Sequence, residues 1–531
     1  MDTGCVKLTL CFYFAIFALI WFFSVIKLGR SSTVSLLKSE KAGEKAPKAN
    51  WLLGLLGAAV LGTAYYIAVS IENPVEAIFW FFLAVVLVII ATYLLMIAGS
   101  VLLCRLLQKN KKYYYRPGHF VSVSSLVFRM KRNGAGLASI AIIATMVLVM
   151  ISSASCLWFG TQDMLESRYP GEINFTLRFY QDGLPEEDQL KAIRQIMEDY
   201  RLENNSETET LVDLPYGEIT ALEEKNTLYL GADYTDTMDF GSMRELYLIP
   251  LSVYNRKTGR NITLGEGEAI AFSSDGREMG ETLELLAGKQ RKSYRLLDTG
   301  EEDLFVDYYM GSLIPQISLV IPDLNAATGA FEEVQEKDGR FFSYIWKYSF
   351  DLKKSPLNGP DYAKALKDAI IGVLENDLGI TENYTVYFDD RETERQEYMA
   401  LNGSLFFIGI VLSVVMILAA VLIIYYKQIS EGYEDCRRFE VMRKVGMSGK
   451  EIRKNINSQL LVVFFIPLVF AGLHLVFAFP MIRKLLNLFG LLNQGLFVAT
   501  TLISFAVFAV FYTIVYKLTS NAYYNIVSDA G

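Results

Sequence analysis

The chain has 531 residues, of which 52% are hydrophobic, and a mean hydropathy of +0.28. That is too apolar for a soluble protein of this length and excludes a water-soluble globular fold for the whole chain. The formal net charge of −8 hides a split of about −23 over residues 162–400 and about +15 over the rest.

Seven apolar runs have close to the ~20 residues that cross a bilayer as helix: Leu8–Ile26, Trp51–Ser70, Ala77–Leu103, Leu137–Gly160, Gly403–Tyr426, Ile456–Phe479 and Gly495–Tyr516. The first is too long for a secretory leader. It is followed by Lys27, Arg30 and Lys38 rather than a small-residue cleavage site, so it reads as an anchor. The stretch Arg105–Gly136 carries eight basic residues, among them Arg129, Lys131 and Arg132, and no acid. With the basic stretches Lys27–Asn50 and Lys427–Asn455, it is expected in the cytoplasm. Alternation then puts the N-terminus and one large acidic insertion outside and the C-terminus inside. Arg483 and Lys484 run against this assignment and are outvoted.

The insertion, residues 161–400, is expected to fold as an extracellular α/β domain. A helix is expected at Leu184–Leu202, with Pro185 in its first turn and Glu186, Glu187 and Asp188 beside it. A second is expected at Asp361–Leu378 and a third at Leu324–Glu336. Strands are expected at Leu228–Leu230, Leu246–Tyr254, Leu304–Tyr309, Ile317–Ile321, Phe341–Phe350 and Tyr384–Phe388. The insertion has no cysteine, so it must fold on its own core. At its borders the fourth span is expected to continue as helix toward Ser167, and a polar helix Arg391–Ala400 to lead into the fifth. The two would be stalks that carry the domain. The expected fold is thus a polytopic α-helical membrane protein with seven transmembrane helices and one large extracellular α/β domain on helical stalks. Its three parts are four spans (1–160), the α/β domain (161–400) and a three-helix unit (401–531).

Missing chemistry narrows the function. The sequence has no G-x-x-x-x-G-K-[ST] phosphate loop, so ATP is not expected on this chain. Its two histidines, His119 and His474, both lie outside the insertion, which leaves that domain no imidazole base and no Cys/His metal set. Carboxylate pairs such as Glu223/Glu224 read as solvated surface. His474 sits inside the sixth span without any charged partner and reads as a neutral, hydrogen-bonded packing group.

The loop 427–455 carries the most information. Ile429, Tyr433, Cys436, Phe439 and Met442 recur at helical spacing. Gly446 suits a helix end, and Ser448 with Glu451 forms a capping box that opens the next helix. A short amphipathic helix is therefore expected at the membrane surface, rigidly joined to a span and suited to passing force.

The run Arg437-Arg-Phe-Glu-Val-Met-Arg-Lys-Val-Gly-Met-Ser-Gly-Lys-Glu-Ile452, within a three-span unit, resembles the FtsX-like permease domain of ABC transporters. Leu36-Leu-Lys-Ser-Glu-Lys41, Val85–Leu95, Lys112-Tyr-Tyr-Tyr115 and Phe128-Arg-Met-Lys-Arg-Asn-Gly-Ala-Gly-Leu137 are similar to the bacitracin-resistance type of such permeases. The resemblance implies a partner cytoplasmic ATPase in two copies that would hold the ATP, with no cofactor and no catalytic site on this chain. It also implies a peptide-antibiotic ligand, free or on its lipid carrier, and a two-span sensor histidine kinase as a further partner. By the same resemblance Arg437, Arg438, Phe439, Met442, Arg443, Lys444, Val445, Gly446, Met447 and Ser448 form the ATPase-coupling element. Phe439, Met442 and Val445 would make its apolar contacts, and Arg443 and Lys444 its basic ones. The family has ten spans, and Leu8–Ile26 resembles its fourth, so the first three and the first coupling loop are expected to be missing. An FtsX-like machine for lipoprotein, lipid or cell-wall hydrolase control, and a membrane sensor without an ATPase, are the alternatives.

Overall fold

A computed structural model describes residues 3–29, 51–71, 74–115, 117–180, 187–230, 242–274, 279–287, 290–297, 314–324, 342–380, 383–491 and 493–529. Among the described residues seven helices are long and apolar enough to cross a membrane. Residues 1–49 form one compact unit and residues 50–531 a second. The first contains helix α1 (Thr3–Gly29), whose described side chains are almost all exposed, as befits a surface made for lipid.

The second unit begins with α2 (Trp51–Ser70) and α3 (Pro74–Leu94). Through a π-helical turn at Leu95–Gly99, α3 runs on into α4 (Ser100–Lys109). A short α5 (Lys111–Tyr114) and the long α6 (Pro117–Phe159) follow. The fourth span continues as helix toward Ser167, as expected, with one irregular residue at Gly160. Beyond Gly160 the helix is α7 (Thr161–Arg168).

The α/β part follows as a ten-stranded mixed sheet of order β10-β1-β9-β2-β3-β6-β7-β5-β8-β4, with β2 also paired to β4. That extra pairing closes β2, β3, β6, β7, β5, β8 and β4 on themselves and leaves β9, β1 and β10 as an extension. The strands are β1 (Ile173–Tyr180), β2 (Glu207–Glu224), β3 (Thr227–Leu230), β4 (Met243–Pro250), β5 (Glu268–Ser273), β6 (Thr282–Ala287), β7 (Gln290–Leu296), β8 (Gln316–Ile321), β9 (Phe342–Lys354) and β10 (Tyr384–Asp390). Helix α8 (Glu187–Glu203) packs against α10 (Gly359–Asn376). Ile193 from α8 and Leu366, Ile370 and Leu374 from α10 enter a core with Phe175, Leu177, Trp346 and Phe350 of the sheet. The opposite face buries Leu214, Tyr216, Tyr247 and Ile345 under α9 (Leu251–Thr258). Alternation along β2 and β9 decides which side chain serves which face.

The strand expected at Leu246–Tyr254 stops at Pro250, and Leu251–Thr258 is helix. Pro250 lacks the N–H that would extend a ladder, and it sits instead at the N-cap of α9. The expected strand Leu304–Tyr309 and the helix Leu324–Glu336 beyond Leu324 lie outside the described residues.

The chain leaves the sheet through α11 (Arg391–Lys444), a single helix of 54 residues. The expected stalk, the fifth span and the expected short amphipathic helix are therefore one element. Asp390 caps its start by accepting from the Thr393 backbone at 2.8 Å, and Glu392 and Glu394 occupy its first turn. Arg443 and Lys444 occupy its last, so both ends complement the helix dipole. Helices α12 (Gly449–Asn487) and α13 (Gln494–Asp529) complete the chain.

Candidate functional site: the two ends of a long helix

The turn between α11 and α12 is set by local sequence. Gly446 has φ +101°, a left-handed conformation that a side chain would disfavour. The Met447 N–H reaches back to Met442 O at 3.1 Å and the Gly446 N–H to Arg443 O at 3.0 Å. This pair of hydrogen bonds closes the helix, with Met442 and Met447 packed on one cluster. Ser448 then caps α12: its hydroxyl accepts from the Glu451 backbone at 3.4 Å, while the Glu451 carboxylate accepts from the Ser448 N–H at 2.9 Å. Two helices are thus joined through four residues that all have fixed conformations.

The expected apolar contacts divide. Phe439 is only 3% exposed and is buried with Ile452, Ile456, Leu460, Tyr523 and Val527, and Met442 packs on the same cluster. Phe439 therefore faces the protein's own α12 and α13 rather than a partner, with Met442 partly buried beside it, because the stripe that starts at Cys436 is the seam between helices. Val445 is 84% exposed and Val441 59% exposed. Arg443 and Lys444 are exposed as well, with Lys444 paired to Glu440 at 2.6 Å. Arg438 is half-buried, Met447 partly buried and Ser448 exposed. The side chains of Arg437, Arg129, Lys131 and Arg132 lie outside the described residues, and the backbones of the last three are in α6. The outward surface of the turn is Val441, Arg443, Lys444 and Val445.

Just before this turn α11 carries two buried carboxylates, Glu431 and Asp435, one helical turn apart. Glu431 accepts from the Asn133 amide of α6, and Asp435 accepts from the Tyr523 hydroxyl of α13 at 2.7 Å. Lys427 reaches Asn133 O at 3.4 Å. Breaking such buried charged contacts is costly, so they fasten α11 to both neighbours. Sequence reading passed over this pair. Two acids one helical turn apart in a net basic loop, directly after an apolar run, were the available signal.

The other end of α11 is fastened to α7 and β1. The Arg391 N–H donates to Glu172 O at 2.9 Å and its guanidinium to Tyr169 O at 2.7 Å. The Tyr169 hydroxyl donates to Glu394 at 2.7 Å. Burial, then the bond to Glu394, holds the Tyr169 phenol above its usual range. Burial and Glu394 likewise push the Asp389 carboxyl up. Lower down, Asn402 donates to Thr161 at 3.0 Å, Trp158 stacks on Phe406, and Gly409 lets Ala154 come within 2.9 Å of where a Cβ would stand.

On the sheet, Arg178 of β1 holds Glu218 of β2 at 3.0 Å. Burial and neighbouring Glu245 nonetheless push Glu218 up to about 7, and burial pushes Lys347 of β9 down to about 8. Arg178 and Lys347 offset only part of the cost of keeping the Glu218 carboxylate beside Glu245 on a face that also buries Tyr216 and Tyr247.

His474 of α12 is hydrogen-bonded on both ring nitrogens. Thr92 of α3 gives its proton to Val88 O at 2.6 Å, so it accepts from Nε2 at 3.0 Å, and Nδ1 accepts from Tyr65 of α2 at 2.7 Å. That is the hydrogen-bonded packing role expected of it.

A helical membrane protein with a large α/β domain, joined by one continuous helix to a capped basic turn, is the class this fold defines. Residues 410–528, which include that turn, match the FtsX-like permease C-terminal family model. The chain is 24% identical over 483 residues to the ABC transporter permease protein YxdM of Bacillus subtilis, covering 89% of this chain and 68% of that one. It is 22% identical over 528 residues to the uncharacterized ABC transporter permease YvcS of Bacillus subtilis, covering 97% and 75%. It is 22% identical over 388 residues to the bacitracin export permease protein BceB of Halalkalibacterium halodurans, covering 71% and 53%. The resemblance of this chain to FtsX-like ABC transporter permeases is thereby established.

Proposed function

We propose that this chain is the permease subunit of an ABC transporter that acts on peptide antibiotics of the bacitracin kind. The α/β domain would lie outside the cell and the α11–α12 turn inside, as the basic loops favour. A separate cytoplasmic ATPase in two copies would dock on that turn, and a two-span sensor kinase would join the same assembly. The ligand would be handled by the acidic α/β domain, as free peptide or on a lipid carrier. The observation that carries this reading is α11 itself, which starts one residue after β10 and ends at the turn. At 1.5 Å per residue its 54 residues span about 81 Å. A displacement at the turn is then handed directly to the sheet.

The experiment is co-purification after expression with the neighbouring genes, comparing the natural chain with Val441→Asp/Val445→Asp. An ATPase that follows the first and not the second supports the reading. An ATPase absent from both sinks it. Growth on bacitracin of cells carrying the intact complex then tests the ligand, with unchanged sensitivity excluding it.

A further inference from the structure

Between α4 and α6 the chain makes a compact basic and aromatic hairpin. Asn110 breaks the helix (φ −78°, ψ 89°), α5 adds one turn, and Tyr114 bonds Ser124 of α6 at 2.7 Å. The Tyr114 ring lies 5.4 Å from that of Tyr115 and 5.0 Å from that of Phe120. Around this anchored ring the side chains of Leu106, Lys109, Lys111, Lys112, Tyr115 and Phe120 are all exposed. Apolar and cationic groups thus share one outward patch, in a stretch without a single acid.

The position of the patch says what covers it. The helical run Ala77–Lys109 has 33 residues, about 50 Å as helix, against a hydrocarbon core of ~30 Å. Tilted by about 30–40°, within the range of membrane helices, such a run covers about 38–43 Å and ends its basic turn in the headgroup layer, and α6 returns from the same level. Tyrosines favour that layer, with rings toward the chains and hydroxyls toward water. Lysines on long apolar stems reach phosphates there. An acidic protein surface would satisfy the lysines but leave Leu106 and Phe120 against water.

We propose that the exposed side chains Leu106, Lys109, Lys111, Lys112, Tyr115 and Phe120 bind the anionic headgroups of phospholipids, with the three lysines on the phosphates and Leu106, Tyr115 and Phe120 among the upper chain carbons. They would fix the depth of α4 and α6 in the membrane, and hence the level at which α6 meets Glu431.

The test uses the full chain in neutral detergent, titrated with dioleoyl phosphatidylglycerol or dioleoyl phosphatidylcholine while thermal unfolding is followed. A single surface lysine contributes about fivefold to anionic-lipid affinity. In Lys109→Gln/Lys111→Gln/Lys112→Gln the phosphatidylglycerol concentration for half-maximal stabilisation should therefore rise at least tenfold, with the phosphatidylcholine response unchanged. Raising NaCl to about 0.5 M should weaken the natural chain's response and leave that of the variant alone. All three lysines are exposed, so the variant is expected to fold. An unchanged half-maximal concentration overturns the proposal. So does a variant that keeps its lipid response but loses a bound protein, which would give the patch to an acidic partner. No ATPase enters this experiment, so its failure and that of the permease reading are separately visible.

Discussion

Replacing Phe439 by alanine should loosen the turn without touching its outward surface. The ring is buried among Ile452, Ile456 and Leu460 of α12 and Tyr523 and Val527 of α13, so truncation leaves a cavity at a junction of three helices. Buried Phe→Ala changes cost about 3–5 kcal/mol, combining lost transfer energy and unfilled volume. Val445, at 84% exposed, buries almost nothing, and Val445→Asp should stay within about 0.5 kcal/mol of the natural chain. The assay is thermal unfolding of the purified chain in one detergent, run beside retention of a co-expressed ATPase. Phe439→Ala should unfold several degrees lower, while Val445→Asp should unfold normally and lose the ATPase. If Phe439→Ala unfolds at the natural temperature, the ring is not the keystone of this junction. If Val445→Asp unfolds early, the surface assigned to a partner belongs to the chain's own fold.

Ser448→Ala removes a capping oxygen from α12 and should cost about 1 kcal/mol, read as faster amide exchange in residues 449–452. His474→Phe strips Tyr65 and Thr92 of their shared partner and should lower the unfolding temperature, with His474→Gln restoring part of the loss; equal loss in both would refute a hydrogen-bonding role. Glu218 is raised to about 7 in the folded chain, so the folded state holds its proton longer than the unfolded state, and stability falls as pH rises from about 4.5 through 7. Glu218→Gln should flatten that slope and stabilise the chain at pH 8 by at most about 3 kcal/mol, and an unchanged pH profile would show that Arg178 already neutralises the carboxylate.

The membrane helices were legible because each is a long run without charge, and the capping box because it depends on two residues three apart. The strands at Leu228–Leu230, Ile317–Ile321 and Tyr384–Phe388 were legible for their β-branched and aromatic runs. β2 was not. Its 18 residues mix Glu, Asp and Pro215 with apolar groups, because its two edges serve β9, β3 and β4, and its faces serve two different cores. Phe439 was misassigned for a related reason. Helical spacing identifies an apolar stripe but not what covers it, and here α12 and α13 cover it. The carboxylates Glu431 and Asp435 escaped notice because charge at a loop reads as solvation until a partner is seen. Asn133 and Tyr523, the partners that bury them, are 298 and 88 residues distant in sequence.

The placement of α11 also constrains how the motion proposed above would pass between its ends. It leaves the sheet from β10, which among the described residues is an edge strand paired only with β1. β1 is entered from α7, and residues Ile173 and Asp390 face each other in register where the two helices meet the sheet. Both stalks therefore grip neighbouring strands at the same level, and Arg391 and Glu394 tie them together across Tyr169. A tilt of α11 alone would strain those bonds and the Asn402–Thr161 contact below them. The geometry instead favours α11, α6 and α7 swinging together, with Glu431–Asn133 as the lower tie and the Arg391 cluster as the upper. Tyr523→Phe tests this division of labour: it leaves both ties intact and frees only α13 from Asp435. A buried carboxylate losing one hydrogen bond costs about 1–3 kcal/mol. Spin labels on α6 and α11 should then keep their natural separation, while one on α13 moves relative to α11. A changed α6–α11 separation would mean that α13, not the two ties, holds the pair together.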